Sequence, residues 1–413
     1  MNGARAAAAT MEARLRPRGS NQGGMRQFNE RVVLQAIRLH GTCPKAEIAR
    51  LTGLTAQTVQ LIIGRLEADD LVRRLAPVRG KVGQPSVPMA LNPDGAFSIG
   101  VKIGRRSADM LLVDFTGQVR ERLTLSYLFP DPLKLFGDID AGLRQLRKSL
   151  KPALRKRLHG IGVAAPLSLG GWKVLLGITP ELAQEWNDID MRERIASLGA
   201  AQGLPVEFVK DTAAACVAEL VAGRGRSMRS FLYLFVDTFI GGGLVLDSHL
   251  FGGLNGNAGA VGSLPMGLST STGVPPEQLL NVGSLWSLEA LYTKAGVDAD
   301  AWVDARALDA PWLASTQAWL ERGCPAIALA INSAACLLDL GGVIIDGSFG
   351  RELLAELVSG VERALDLYNW EGAARPRVLA GTIGSDARAM GGALLPLYAN
   401  FAPDRDLFLK VDP

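Results

Sequence analysis

The chain has 413 residues, of which 48% are hydrophobic and 21% are charged, and this composition predicts two or three globular domains. No apolar run is long enough to span a membrane, and the N-terminus lacks the apolar core of a signal peptide. The four cysteines are scattered and there are only three histidines, which argues against a disulfide framework and a structural zinc site. We therefore expect a cytoplasmic protein that is not associated with a membrane.

The positive charge is concentrated near the N-terminus. Residues 1–90 contain fourteen lysines and arginines against six acidic residues, a net charge of +8, whereas the whole chain carries +3 and the remainder therefore −5. A basic module on an acidic body is the expected layout for a nucleic-acid-binding domain attached to a domain of another kind. A solvated basic face is the alternative explanation of the same charge pattern.

Short helices are predicted after a basic arm. Residues 1–26 are rich in arginine, glycine and alanine and are expected to be disordered. A first helix starts near Phe28, a second covers Lys45–Leu51, and a third covers Ala56–Ala68 with Thr55 as its N-cap. The second and third helices are joined by Thr-Gly-Leu-Thr, which favours a helix-turn-helix with the third as the recognition helix.

Two strands at Leu71–Leu75 and Val87–Leu91, separated by a basic glycine-rich segment, predict a wing. Residues 27–91 are therefore interpreted as a winged helix-turn-helix DNA-binding domain. Amide and hydroxyl side chains can read base edges in the major groove, and basic wing residues can contact phosphates. The candidate DNA contacts are Lys45, Thr55, Gln57, Thr58, Gln60, Arg79, Lys81 and Gln84.

Residues 96–413 show an α/β pattern that occurs twice. Phe97–Gly104 and Ala108–Phe115 read as two strands around a glycine turn, and Phe231–Val236 with Gly243–Asp247 repeats the unit. Buried strands alternate with helices after each unit. Two similar lobes imply a cleft between them, which is the usual place for a small ligand.

Several further elements position the candidate site. Val206–Val209 reads as a buried strand that leads to Asp211 and a small-residue helix. Ligands of open α/β sheets bind beyond the carboxyl ends of strands, so Asp211 is a candidate ligand contact. An N-cap of the following helix is the alternative role. A helix is predicted from Met191 to about Gly199, and the segment before it, Glu181–Trp186, is assigned no element. Another helix is predicted at Cys324–Leu337.

Further motifs follow the winged helix in a fixed order, and they are Lys210, Asp211, Glu219, Gly241–Gly243, Gly256–Gly262 and Gly342–Gly347. Taken together, these motifs resemble the ROK family of repressors and sugar kinases, from about Gln27 to the C-terminus. The resemblance implies an actin-like ATPase duplication for the two lobes, with Asp211 at the position of the catalytic carboxylate of the kinases.

The chain departs from the pattern of the sugar kinases at their phosphate loops. Asp-Ile-Gly-Gly-Thr is replaced by Lys102–Arg106, and the second loop reads Asp237–Gly243, with Asp237 and Phe239 where backbone should approach the nucleotide. The family's histidine-bearing turn reads Ala260–Ser263, without the zinc ligands. No catalytic residue, cofactor or metal is therefore expected.

The resemblance also indicates a ligand site. The Asp211 carboxylate can accept hydrogen bonds from sugar hydroxyls without chemistry, and Lys210 replaces the family's asparagine, which favours an anionic sugar acid or phosphosugar. For Asn187 and Glu289 a plain surface position is an equally good explanation. The ligand-binding candidates are Asn187, Lys210, Asp211, Gly259 and Glu289.

The sequence therefore predicts a DNA-binding transcriptional repressor whose affinity for DNA is controlled by a sugar or sugar derivative. Its partners would be a double-stranded DNA operator and copies of itself, as a homodimer or homotetramer, because symmetric half-sites require symmetric proteins. One alternative is an active ATP-dependent sugar kinase with a DNA-binding arm. The other is a DNA-binding regulator without an effector, controlled by a protein partner.

Overall fold

A computed structural model describes residues 22–78, 86–171, 173, 177–270 and 273–403. Within these ranges the strands form one three-stranded and two five-stranded sheets. The mixed α/β fold with an N-terminal winged helix-turn-helix is thereby confirmed. No helix of the described residues is long and apolar enough to cross a membrane.

The N-terminal domain contains three helices and a small antiparallel sheet. Its elements are α1 (Gln22–His40), β1 (Thr42–Pro44), α2 (Lys45–Thr52), α3 (Ala56–Ala68), β2 (Val72–Arg74) and β3 (Pro88–Leu91), and the strand order is β1-β3-β2. The Thr55 hydroxyl accepts a hydrogen bond from the Thr58 amide at 3.2 Å and so caps α3, as predicted. Ile37, Ile48 and Ile63 bring the three helices into one core.

The first helix is longer than its apolar pattern indicates. It begins at Gln22, so residues 22–26 belong to α1 and not to a disordered arm, while residues 1–21 lie outside the described part of the chain. Arg26 forms an ion pair with Glu30 one turn later at 3.3 Å. Glu30 also lies 3.4 Å from Arg65 of α3. Because these contacts are polar, the apolar periodicity of the sequence does not reveal this part of the helix.

The first lobe is a five-stranded sheet with the order β6-β5-β4-β7-β8. Its elements are β4 (Phe97–Ile103), β5 (Ser107–Asp114), β6 (Val119–Ser126), α4 (Pro132–Ser149), β7 (Leu158–Ala165), α5 (Pro180–Asp188), α6 (Met191–Ala196), β8 (Val206–Lys210) and α7 (Asp211–Ala222). Helix α5 was not predicted, because only Ala183 and Trp186 of its nine residues are buried and give too weak a period. β4 is antiparallel to β5 and parallel to β7.

The second lobe repeats this arrangement, with the order β11-β10-β9-β12-β13. Its elements are β9 (Phe231–Val236), β10 (Gly241–Leu246), β11 (His249–Phe251), α8 (Leu279–Gly283), α9 (Leu285–Ala295), α10 (Leu313–Leu338), β12 (Gly342–Gly347), α11 (Arg351–Leu365), β13 (Arg377–Ala380) and α12 (Ala387–Phe401). The predicted duplication is confirmed. Helix α10 begins at Leu313, whereas the predicted helix begins at Cys324. A proline is favoured in the first turn of a helix, but Pro325 lies inside this one.

Helices α7 and α12 pack against each other at glycine positions. A Cβ on Gly391 would lie 1.8 Å from the carbonyl oxygen of Ala214 in α7. A Cβ on Gly162 of β7 would lie 1.8 Å from the carbonyl oxygen of Gly392. Only glycine permits such approaches, so α12 is held closely against both α7 and the sheet of the first lobe.

The winged helix shares its hydrophobic core with the rest of the chain. Phe115 of the first lobe and Leu397 of α12 are fully buried in the same cluster as Ile37 of α1. Arg38 of α1 donates a hydrogen bond to the Phe115 carbonyl at 2.9 Å, and its guanidinium lies 5.5 Å from the centre of the Tyr398 ring. The winged helix is therefore packed on the lobes and not merely tethered to them.

Two more arginines join the winged helix to the lobes. Arg226, which follows α7, donates a hydrogen bond to the Leu39 carbonyl near the end of α1 at 2.7 Å. Arg157 of the first lobe forms an ion pair with Asp70, next to the end of α3, at 2.6 Å. The contact of Arg226 places the end of α7 beside α1.

Candidate functional site

The outer face of α3 presents the polar side chains predicted to read DNA. Gln57 and Gln60 are exposed, whereas the apolar face of the helix is buried. Lys45 at the start of α2 donates a hydrogen bond to Gln60 Oε1 at 2.7 Å, which links the two helices. The hydroxyls of Thr55 and Thr58 lie 2.9 Å apart at the cap. Gln57 forms no hydrogen bond within the described residues, so its amide is available to a base edge.

The strands of the predicted wing are present. β2 and β3 pair antiparallel, and Val78 forms a further antiparallel bridge with Ser86. The predicted wing contacts Arg79, Lys81 and Gln84 lie outside the described residues, and their role in DNA binding stays a prediction.

A cavity of about 260 Å³ lies between the two lobes, at the carboxyl end of β8, and is called here the interlobe cavity. Ligand sites of α/β folds occur at this edge of a sheet. The polar and aromatic side chains that line it are Arg105, Ser168, Lys210, Asp211, Thr212, Phe239, Asn257 and Ser263. The first five come from the first lobe and the start of α7, and the last three come from the second lobe.

Asp211 is the first residue of α7 and is 9% exposed. Its Oδ1 accepts a hydrogen bond from the Thr212 amide at 2.8 Å, while its Oδ2 lies 3.8 Å from Arg388 Nη1. The N-cap position belongs to Lys210, so the alternative role of Asp211 as the N-cap is wrong. The carboxylate is held at the helix start and lines the interlobe cavity.

Two cationic side chains line the cavity beside this carboxylate. Lys210 forms no hydrogen bond or ion pair within the described residues, and burial lowers its pKa while the charge of Asp211 opposes that shift. Arg105 donates to the Ser168 carbonyl at 3.1 Å, and its guanidinium lies 5.0 Å from the centre of the Phe239 ring of the second lobe. Arg105 therefore spans the cleft between the lobes.

Asn187 and Gly259 lie beside the interlobe cavity and do not line it. Asn187 is exposed, and its Oδ1 accepts a hydrogen bond from the Ser168 hydroxyl at 3.1 Å. Gly259 has a φ of 74°, and a Cβ there would lie 2.9 Å from the backbone of Gly243. Asn187 thus orients a cavity side chain, and Gly259 permits the close approach of two backbone segments.

Glu289 lies apart from Asp211. It forms an ion pair with Arg106 across the lobes at 3.2 Å and lines a second cavity of about 560 Å³. The structure therefore does not bring Glu289 together with Lys210 and Asp211.

Four charged side chains form a network next to the cavity, called here the ion-pair cluster: Lys102, Asp109, Asp237 and Arg388. Lys102 is 3% exposed and donates hydrogen bonds to Asp109 Oδ2 at 3.1 Å and to Ser107 Oγ at 2.6 Å. Arg388 of α12 forms a close ion pair with Asp237. Two cations and two anions thus neutralise one another inside the chain.

The pKa shifts show that these charges are coupled. Burial lowers the pKa of Lys102, and the positive charge of Arg388 lowers it further. Although burial alone would raise it, Arg388 and Lys102 hold the pKa of Asp237 below its ordinary value. The cluster therefore spans both lobes and α12 as one electrostatic unit.

The donors that zinc prefers are missing at the turn where the family resemblance would place a zinc ion. Ser263 lines the interlobe cavity at this turn with a hydroxyl, not with an imidazole or a thiolate. Within the described ranges, no three His, Cys, Asp or Glu side chains are grouped to hold a metal ion. The residues present do not fit zinc.

Some site residues were not predicted. Ser168 follows the carboxyl end of β7, and Asn257 lies in the glycine-rich turn after β11, so position relative to the strands was the available signal. Arg388 lies far along the chain in α12, and only the packing of that helix brings it to Asp211 and Asp237.

The comparison with known families agrees with this architecture. Residues 98–398 match the sequence model of the ROK family, and residues 29–73 match that of a winged helix-turn-helix DNA-binding domain. The first match covers more than half of the chain, and the chain belongs to the ROK family.

The xylose repressor of Bacillus subtilis is 22% identical over 245 residues, which are 59% of this chain and 62% of that repressor. Among solved structures, a ROK family transcriptional regulator described as a homologue of the Escherichia coli MLC protein matches with a TM-score of 0.65. It is 18% identical, and the match covers 92% of this chain and 98% of that one. A ROK family glucokinase from Streptomyces griseus, solved with glucose and AMPPNP, matches with a TM-score of 0.58 and 17% identity over 73% of this chain and 99% of that one.

Proposed function

We propose that this chain is a transcriptional repressor whose affinity for its DNA operator is set by a sugar or sugar derivative bound in the interlobe cavity. The winged helix-turn-helix supplies the DNA-binding surface, and the cavity supplies the effector site. The observation that carries the proposal is that α7 and α12 both extend from the cavity to the winged helix.

Each of these helices contacts the site at one end and the DNA-binding domain at the other. α7 begins with Asp211 in the cavity, and the turn after it carries Arg226, which holds the end of α1. α12 carries Arg388 beside Asp211 in its first turn and Leu397 in the core of the winged helix near its other end. A ligand that shifts either helix therefore displaces the winged helix-turn-helix.

The mechanism is thermodynamic linkage between two sites. An effector lowers operator affinity only if it binds the DNA-free arrangement of the lobes more tightly than the DNA-bound one. Two winged helices on symmetric half-sites require a homodimer or homotetramer, in which a small movement of each domain changes the distance between the recognition helices.

The names of the related proteins support the same class of function. The Bacillus subtilis relative is called a xylose repressor, and a solved structure that resembles this fold along nearly its whole length is called a transcriptional regulator. The chain spans about three fifths of the length of the xylose repressor, so the assignment of an operator and a sugar effector belongs to this proposal.

Phosphoryl transfer is not part of the proposed function. Asp211 could accept a proton from a sugar hydroxyl, but the charged side chains next to it belong to the ion-pair cluster. Asp237 would place a negative charge near the phosphates of a nucleotide, and the cations that could offset them are already engaged by carboxylates.

The direct test is a gel-shift with the DNA that flanks the chain's own gene, with and without candidate sugars. The full chain should retard this DNA, and an effector should release it. Gln57→Ala on α3 should weaken binding to the cognate site by about 1–3 kcal/mol, because a base contact is lost. Gln317→Ala, an exposed glutamine on α10, is the matched control and should bind as the wild type does. Equal binding to cognate and unrelated DNA would contradict the proposal.

A further inference from the structure

The interlobe cavity contains more positive than negative charge. Arg105 and Lys210 contribute two cations, and Asp211 contributes one anion. That anion is shared with Arg388, whose Nη1 lies 3.8 Å from Asp211 Oδ2. The carboxylate therefore offsets less than one of the two cations that face the cavity.

Both cations have unused hydrogen-bond donors. Lys210 forms no hydrogen bond or ion pair within the described residues, although it is only partly exposed. Arg105 Nε is buried without a partner in the same part of the chain, and of its guanidinium donors only Nη2 is engaged, by the Ser168 carbonyl. A buried guanidinium nitrogen is costly without an acceptor, so the arrangement favours a bound group with acceptor oxygens.

The rest of the cavity fits a polyol. Asp211 can accept hydrogen bonds from hydroxyls, and the Asn257 amide and Ser168 hydroxyl can both donate and accept. The volume of about 260 Å³ is close to the lower end of the roughly 300–1,000 Å³ typical of ligand pockets, which favours a single monosaccharide.

We infer that the effector is an acidic monosaccharide, a polyol carrying a carboxylate or a phosphate, whose anionic group is bound by Lys210 and Arg105. This inference rests on the proposed function, since it names the class of molecule that the cavity takes. Carboxylate and phosphate both offer the adjacent oxygens that a guanidinium fork and an ammonium recognise. A neutral sugar would leave these donors unpaired.

The experiment compares matched neutral and acidic sugars on the full chain. Glucose, galactose and xylose are each tested beside their carboxylate and phosphate counterparts by thermal shift, because a ligand of the native state raises the melting temperature. The tightest acid and its neutral parent are then measured by calorimetry. The acid should bind more tightly by a factor on the order of ten or more, the loss expected when a charge-assisted hydrogen bond is missing.

Variants assign the preference to the two cations. Lys210→Gln and Arg105→Gln should each reduce the ratio of acid to neutral affinity by a factor on the order of ten. Arg106→Gln removes the same charge from the adjacent residue, which pairs with Glu289 outside this cavity, and should leave the ratio unchanged.

The possible results separate the inference from the proposed function. If a neutral sugar binds as tightly as its acids and still releases the operator, the inference is overturned and the proposed function stands. An acid preference that persists in both Lys210→Gln and Arg105→Gln also overturns the inference. If no sugar of the panel raises the melting temperature, the acidic effector and the sugar-responsive part of the proposed function both fail, and a regulator without a sugar effector is favoured.

Discussion

The ion-pair cluster and the interlobe cavity are adjacent and both contain several charged side chains, but they differ in how those charges are paired. In the cluster, Lys102 is paired with Asp109, and Arg388 is paired with Asp237. In the cavity, neither Lys210 nor Arg105 forms an ion pair with a carboxylate within the described residues. A buried nitrogen without an acceptor occurs in both Arg105 and Arg388, so the ion pairs alone distinguish the two regions. Charges that satisfy one another hold a structure together, whereas charges left without partners in a cleft mark a binding site.

A sugar kinase must bind both a sugar and a nucleotide in its cleft. In this chain, the charged side chains beside the interlobe cavity are paired with one another in the ion-pair cluster, so their cations are engaged by carboxylates. In the proposed function, the cleft binds a ligand whose effect reaches the winged helix through α7 and α12.

The largest effect is expected from breaking the ion-pair cluster. Arg388→Leu leaves the Asp237 carboxylate, 22% exposed, without its cation, and should lower the free energy of unfolding by about 3–5 kcal/mol. Urea denaturation followed by tryptophan fluorescence measures the loss. The double variant Arg388→Leu with Asp237→Leu should recover most of it, because the Asp237 carboxylate is then removed together with its cation. Equal losses in both variants would show that the side chain contributes through packing alone.

A variant in the cavity should have the opposite profile. Asp211→Asn keeps an oxygen that can accept the hydrogen bond from the Thr212 amide. The variant removes the negative charge of the carboxylate to which sugar hydroxyls would donate hydrogen bonds. The affinity for the effector should fall by about 1.5–3 kcal/mol in calorimetry, with little change in the urea midpoint. A large loss of stability without a loss of effector affinity would place Asp211 in the structural cluster instead.

Loss of the contact between the end of α7 and the winged helix should leave the separate affinities for effector and operator unchanged. It should reduce the coupling between the two binding events. Arg226→Ala removes the hydrogen bond to the Leu39 carbonyl and should reduce the coupling free energy between effector and operator by about 0.5–2 kcal/mol. Arg224→Ala, in the same turn but without a side-chain contact to α1 in the described residues, is the control. Fluorescence anisotropy of labelled operator, titrated with effector, gives both values. Unchanged coupling in Arg226→Ala would exclude this route.

No effect is expected in a kinase assay. The full chain with ATP, magnesium and the sugar panel should release no more ADP than a blank in a coupled assay, because the cations of the cluster are engaged by Asp109 and Asp237. Turnover that Asp211→Asn abolishes would contradict the proposed function and establish a sugar kinase.

Much of the fold follows from local patterns. The bounds of α3 and of β9 agree with the predicted ranges, because a clear apolar pattern marks each of them. The extension of α1 to Gln22 and helix α5 were missed because polar contacts and tertiary packing stabilise them without a regular apolar period.

The site was less predictable than the fold. Lys210 and Asp211 are neighbours in sequence and at the end of a strand, so the rule for α/β sheets located both. The partnership of Arg388 with Asp237 and the position of Glu289 in another cavity depend on how helices and lobes pack, and no spacing in the chain encodes them. Charges at a cleft can be listed from sequence, but which of them are paired needs the structure.

The central claim is that the interlobe cavity and the winged helix are coupled through α7 and α12. Linkage requires the effector to change operator affinity by the same factor by which the operator changes effector affinity. Operator affinity, measured by anisotropy with and without saturating effector, should fall about 5–150-fold, and effector affinity, measured by calorimetry with and without operator, should fall by the same factor. An effector that binds the cavity and leaves operator affinity unchanged would contradict the account.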